Sequence, residues 1–122
     1  MGLLAPFRRF FSRMSESDEQ RYAVEIEAWA STVPGTVRIR DALSRDRSKV
    51  AGVVRRITVR PLEGHEALEA LLYDGTGEVT VVWMGRRTIP GLALGTRLVV
   101  DGMLAEQRGE RRLVNPNFEF SS

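Results

Sequence analysis

Residues 67–84 read ALEALLYDGTGEVTVVWM and contain two strand-like runs with a turn between them. The runs Ala67–Tyr73 and Val79–Met84 are short and apolar, and the second is rich in β-branched residues, which favours strands. In the turn, Gly75 and Gly77 can adopt the positive φ angles that a tight hairpin needs. The sequence therefore predicts that these two strands pair as an antiparallel hairpin.

Three further strands are predicted around this hairpin, at Val50–Val59, Thr96–Leu104 and Arg111–Phe118. Gly52 lies inside the first of them, and a glycine within a strand indicates a bulge or a sharp bend. Five short strands in about seventy residues favour a small barrel, because closure removes the free edges of so small a sheet. We predict a mainly β chain with a five-stranded antiparallel barrel and an N-terminal α-helix.

The predicted helix spans Ser17–Thr32. Ser17 and Gln20 have the spacing of a capping box, and Pro34-Gly35 ends the helical pattern. One apolar stripe, which we expect to pack on the barrel, follows at steps of four, three and four residues: Tyr22, Ile26, Trp29 and Val33. The polar stretch Pro34–Lys49 is predicted to be a linker. The chain is thus divided into residues 1–48, an amphipathic segment with a helix and linker, and residues 49–120, the barrel.

The first fourteen residues, MGLLAPFRRFFSRM, alternate apolar side chains with arginines at helical spacing. This pattern is compatible with a segment that contacts a membrane surface or a protein partner, and equally with a tail that packs on its own domain. Arg8 and Arg9 interrupt the apolar run, which excludes a signal peptide or membrane span of the usual kind. We therefore expect a cytoplasmic protein.

Composition narrows the function further. The 122 residues are 43% hydrophobic and 28% charged, which fits one domain with its own core, and the net charge is only +2. Cysteine is absent and His65 is the one histidine, which excludes disulfides, a thiol nucleophile and a Cys/His zinc site. The sequence also lacks a phosphate-binding glycine loop, a nucleophile elbow and carboxylates at metal-ligand spacing. We expect a binding protein without a cofactor, and not an enzyme.

Four segments resemble a known group of barrels. They are KVAGVVRR at 49–56, YDGTGEV at 73–79, LGTRLVVDG at 94–102 and LVNP at 113–116. In this order they resemble the OB-fold anticodon-binding domain of bacterial aspartyl-tRNA synthetases and the wedge domain of branch-migration helicases. The resemblance covers about Val50 to Phe120. In its layout the chain is similar to the small stand-alone OB-fold nucleic-acid-binding proteins of actinobacteria.

The resemblance implies an accessory protein that binds single-stranded DNA or RNA with low sequence specificity. Such barrels use the exposed face of strands 2 and 3 and the adjoining loops, where cations contact phosphates and flat side chains stack on bases. The residues of this kind in the sequence are Arg55, Arg56, Arg60, Tyr73, Trp83, Arg86, Arg87, Arg108, Arg111, Arg112 and Asn115.

Several of these residues have alternative roles. Tyr73 and Trp83 can belong to the core, and Arg55 and Arg56 must point to opposite faces unless a bulge intervenes. Asn115 can instead cap the strand end before Pro116. For the whole chain the alternative function is a protein-interaction or membrane-surface adaptor built on the same barrel.

Overall fold

The computed structural model describes the backbone of residues 4–62 and 64–121 and the side chains of residues 17–61 and 64–121. A single helix, α1, spans Leu4–Ala30, and a short 3-10 turn spans Ile39–Asp41. The strands that follow make the described chain mainly β: β1 (Arg47–Leu62), β2 (His65–Tyr73), β3 (Glu78–Met84), β4 (Arg97–Gln107), β5 (Glu110–Val114) and β6 (Asn117–Ser121).

Five of the six strands close into a ring in the order β1-β2-β3-β5-β4, and β4 pairs back onto β1. All these pairs are antiparallel except β3–β5, which is parallel. The prediction of a purely antiparallel barrel is wrong at this pair. The chain crosses from β3 to the far side of the ring before the β4–β5 hairpin returns it, so β5 runs beside β3 in the same direction. A five-stranded ring of this kind is the OB barrel.

The predicted fifth strand, Arg111–Phe118, is two strands in the structure, because the chain kinks at Asn115 and Pro116. Leu104 pairs with Leu113 and Val100 with Phe118, so three residues of β4 lie opposite four residues of the other chain segment. The extra residue is a β-bulge. Asn115 has a positive φ of 50°, and Pro116 has no N–H to donate to a ladder. The bulge leaves β5 in the ring and adds β6 to β4.

The barrel interior is filled by aliphatic side chains from every ring strand, together with Trp83 of β3. Two residues of the predicted linker, Ile39 and Ala42, also belong to this core. Asp74 holds the linker there, because its buried carboxylate accepts the Ile39 N–H at 2.8 Å and also bonds Thr76 and Gly77 of its own turn. Ile39 and Ala42, which lie in the stretch predicted as a linker, are therefore part of the barrel core, and residues 39–42 are called the plug below.

α1 begins at Leu4 and not at Ser17 as the capping-box spacing predicts. Residues 15–20 contain neither glycine nor proline. A side-chain cap contributes only about 1 kcal/mol, so it does not end a helix whose backbone hydrogen bonds can continue. Of the predicted stripe, Ile26 is buried, whereas Tyr22 is 44% exposed. The side chains of Met1–Met14, on which the prediction of an amphipathic segment rests, lie outside the described residues.

The predicted packing of the helix on the domain is nevertheless present. Ala30 packs against Ala51 and Val99 on the outside of β1 and β4, with Trp29 and Val33 beside them. The guanidinium of Arg97 lies 4.8 Å from the centre of the Trp29 ring. Trp29 is thus a packing residue, as its place in the stripe predicts, and α1 flanks the barrel.

Candidate functional site

An open groove crosses the outer faces of β1, β2 and β3 and is bounded by the β4–β5 hairpin and the 3-10 turn. It consists of two adjoining depressions that share Arg56, Leu71, Thr80 and Glu110. Its charged lining comprises five arginines and three glutamates: Arg40, Arg56, Arg60, Arg108, Arg111, Glu69, Glu78 and Glu110. The floor between them is Leu71 with Thr58, Thr76, Gly77 and Thr80.

A bulge in β1 decides where Arg55 and Arg56 point. Val54 pairs with Leu72 and Arg56 with Leu71, so Arg55 is an extra residue without a partner on β2. Both arginines are exposed, and Arg56 lines the groove. The sequence places them on opposite faces unless a bulge intervenes, and a bulge does intervene here. The bulge, which lies at Arg55 and not at Gly52, directs both side chains outward.

Tyr73 shares the outer face of β2 with Leu71 and is half-buried. The guanidinium carbon of Arg55 lies 4.4 Å from the centre of the Tyr73 ring, which is within the range of a cation–π contact. The two side chains therefore form a stacked pair at the end of the groove that is nearest the β2–β3 hairpin.

Glu69 organises the centre of the groove. Its Oε2 lies 3.1 Å from Arg60 Nε and 3.3 Å from Arg112 Nη2, and its side chain is only 9% exposed. A second carboxylate, Glu110, accepts the Thr80 hydroxyl at 2.7 Å. Two guanidinium groups thus share one buried carboxylate, which fixes the positions of Arg60 and Arg112 and offsets part of their charge.

Arg111 has a structural contact as well as a place in the groove. Its Nη1 donates to the Ile39 carbonyl and its Nη2 to the Arg40 carbonyl, the latter at 3.3 Å. These bonds attach the β4–β5 hairpin to the plug. By contrast, Arg56 and Arg108 are exposed and form no ion pair with any described carboxylate within 4 Å. They are the side chains of the groove whose charge is available to a ligand.

Seven predicted site residues do not line this groove: Arg55 and Tyr73 contact each other, Arg112 bonds Glu69, and Trp83, Asn115, Arg86 and Arg87 lie elsewhere. Trp83 is 3% exposed and meets Phe118 edge to face, with ring centres 5.4 Å apart, so the expectation that it stacks on a base is wrong. Strand parity places it inside, because it shares the face of Val79 and Val81. Asn115 Oδ1 accepts the Met84 N–H at 2.9 Å and stabilises the kink after β5.

Arg86 and Arg87 follow β3 near the opposite end of the ring. Arg87 Nε lies 2.8 Å from a carboxylate oxygen of Glu66, and it contributes to a separate depression beside the β1–β2 hairpin. Arg86 is exposed but lines neither depression of the groove. Arg86 and Arg87 therefore belong to a different surface from Arg56 and Arg111.

Arg40 is the groove arginine that the sequence analysis does not predict. It lies in the 3-10 turn, next to the buried Ile39, within the stretch predicted as a linker. The available signal is the spacing of Ile39 and Ala42, two apolar residues three positions apart in a mainly polar stretch. Such a pair indicates a turn that packs, and a packed turn carries Arg40 to a defined place.

Among the described residues, no group of three or more His, Cys, Asp or Glu side chains is arranged to hold a metal ion. Within the described residues, no helix is long and apolar enough to cross a membrane.

No protein-family model and no curated protein matches the chain significantly. Among solved structures, it is similar to a chain of a replication protein A heterotrimer bound to ssDNA, with a TM-score of 0.51 and 17% identity over 62% of this chain and 57% of that chain. It is also similar to RecG bound to a three-way DNA junction, with a TM-score of 0.58 and 19% identity over 70% of this chain and 12% of that chain. The expected likeness to the barrels of nucleic-acid proteins is thus confirmed for the fold. Membership of a stand-alone actinobacterial group stays a prediction.

Proposed function

We propose that the chain binds single-stranded nucleic acid, DNA or RNA, along the groove on β1, β2 and β3, and that it acts as a binding protein without catalysis. The observation that carries the proposal is the convergence of five arginines on one open groove of an OB barrel. They come from the 3-10 turn, from β1 and from the β4–β5 hairpin, which are distant in sequence. A surface on which several cations lie close together attracts a polyanion such as a nucleic-acid strand.

The charge balance supports the proposal. Five arginines against three glutamates leave the lining of the groove with an excess of two positive charges, which equals the net charge of the whole chain. A weakly charged chain therefore has its excess where an OB barrel places its ligand. The similar replication protein A heterotrimer is bound to ssDNA and RecG to a three-way DNA junction, which agrees with a ligand of this class.

The groove presents more groups that can bind phosphates than groups that can stack on bases. Arg56 and Arg108 are exposed cations on opposite sides of it, whereas Trp83 is inside the barrel. Phosphate contacts position a strand without identifying its bases, so we expect low sequence specificity and strong dependence on salt. One OB fold covers roughly 4–16 nucleotides, and we expect a site within this range.

Titration of fluorescent single-stranded DNA and RNA oligonucleotides at several salt concentrations tests this function. If about three phosphates are contacted, log affinity should fall with log salt at a slope of about −2, because each contact releases about 0.7 counterion. Removing two contacts with Arg56→Ala and Arg108→Ala should bring the slope to about −0.7.

The matched control is the double variant Arg21→Ala and Arg47→Ala. It also removes two positive charges, from exposed arginines that lie outside the groove. Arg21 pairs with Asp18 on α1, and Arg47 pairs with Asp101 on β4. The control should retain the slope of the unmodified chain. Equal losses in both double variants, or no affinity tighter than about 100 μM for any single strand at low salt, would overturn the proposed function.

A further inference from the structure

We propose that Arg55 and Tyr73 form one stacking platform, on which the outward face of the Arg55 guanidinium takes an unpaired nucleobase. This inference rests on the proposed function and deepens it. It assigns to Arg55 the stacking contact with a base that the buried Trp83 does not make.

The geometry begins with the Tyr73 ring. The guanidinium carbon of Arg55 lies 4.4 Å from the ring centre, so one face of the cation is covered by the ring. A guanidinium group is planar and stacks on flat partners through either face. Arg55 is an exposed residue, and we infer that the second face of its guanidinium is open to a ligand. A base on that face would make a three-layer stack of base, guanidinium and phenol.

The β1 bulge is what builds this arrangement. Without the extra residue, strand alternation would place Arg55 and Arg56 on opposite faces. With the bulge, Arg56 lines the groove beside Leu71, and Arg55 lies over Tyr73. Tyr73 is two residues after Leu71 on the same face of β2. A base on Arg55 would therefore belong to the same strand whose phosphates meet Arg56.

The platform is also preorganised. Tyr73 is half-buried and is the last residue of β2, which lies between β1 and β3, and it pairs with Val53 on one side and Glu78 on the other. The ring holds the guanidinium before any ligand arrives, which lowers the ordering cost of binding. Unpaired bases are known to stack on aromatic rings and on guanidinium planes alike.

Arg55→Lys separates stacking from charge, because lysine keeps the positive charge but has no plane. The probes are a single-stranded DNA oligonucleotide and an abasic oligonucleotide of the same length, which has the phosphates but no bases. The unmodified chain should bind the first at least about fivefold more tightly than the second. Arg55→Lys should abolish this preference while leaving abasic affinity and the salt slope unchanged.

Arg56→Lys is the matched control, a neighbouring groove arginine with the same change, and it should keep the preference for bases. Quenching of 2-aminopurine in the oligonucleotide gives a second readout, which Arg55→Lys should remove. If the chain binds both probes equally, or if Arg55→Lys keeps the preference, the platform is refuted while phosphate binding stands. Failure to bind either probe would refute the proposed function and the platform with it.

Discussion

Trp83 shows how one residue position separates a core side chain from a ligand contact. Its ring lies in the core with Val79, Val81 and Phe118, and its indole N–H has no hydrogen-bond partner among the described residues. Burying an unpartnered donor costs free energy, so the ring must contribute more through packing than the N–H loses.

Trp83→Ala should therefore lower the free energy of unfolding by about 3–5 kcal/mol, because it leaves a large cavity. Trp83→Phe should cost less, since it keeps an aromatic edge against Phe118 and removes the unpartnered N–H. Urea denaturation measures both losses. Affinity for single strands, measured on the folded Trp83→Phe variant, should stay unchanged. If a stable Trp83→Phe variant loses affinity for single strands, Trp83 takes part in binding and the core-only role is wrong.

At the scale of elements, sequence patterns predict the strands well and their irregularities poorly. The hairpin at 67–84 is predicted with both strands to within a residue or two, because its short apolar runs and its glycines are local signals. The Arg55 bulge and the kink at Asn115 and Pro116 depend instead on how neighbouring strands register in a closed ring. No single segment contains that information.

The candidate site is predictable in kind but only partly in position. Arginines near β1 and the β4–β5 hairpin are expected there from the resemblance, and the structure brings four of the predicted arginines into the groove lining. Glu69 and Glu110 escape notice, because their role depends on contacts with Arg60, Arg112 and Thr80 across strands. Pairing of this kind follows from tertiary structure and leaves no pattern in the sequence.

Gly75 lies in the β2–β3 hairpin and packs closely against α1. It has a positive φ of 91°, and a Cβ atom there would lie 2.4 Å from the Ala23 carbonyl oxygen of the helix. We expect Gly75→Ala to force the hairpin away from α1 and to lower the free energy of unfolding.

Gly85→Ala is the control for this change. Gly85 has a positive φ of 76°, but a Cβ atom there would meet no described atom within 4 Å. It should therefore show only the backbone strain of about 1–2 kcal/mol that alanine has in this region. Chemical denaturation should show a loss for Gly75→Ala that is larger by at least about 1 kcal/mol. Equal losses would mean that hairpin and helix do not need their close contact.

At the scale of the whole molecule, the contact between α1 and the barrel decides how much of the helix the barrel needs. The helix reaches the barrel through Ala23, Ile26, Trp29 and Ala30, whereas the side chains of residues 17–20 are exposed. The barrel core itself is built from residues 39–118. Helix and barrel thus meet at the C-terminal third of α1.

Removal of Met1–Met14 should accordingly leave the barrel folded, with a loss of less than about 0.5 kcal/mol, as for changes outside the packed parts of a protein. The shortened helix would begin beside Ser17 and Gln20, whose capping-box spacing suits a new N-terminus. Removal of residues 1–33 should instead cost several kcal/mol, because it uncovers Ala51 and Val99. Thermal melting of the two truncated chains distinguishes these outcomes. A fall in Tm of more than about 5 °C on the shorter truncation would show that the side chains of Met1–Met14 pack on the domain, whereas unchanged stability with loss of liposome binding would assign them to a membrane surface.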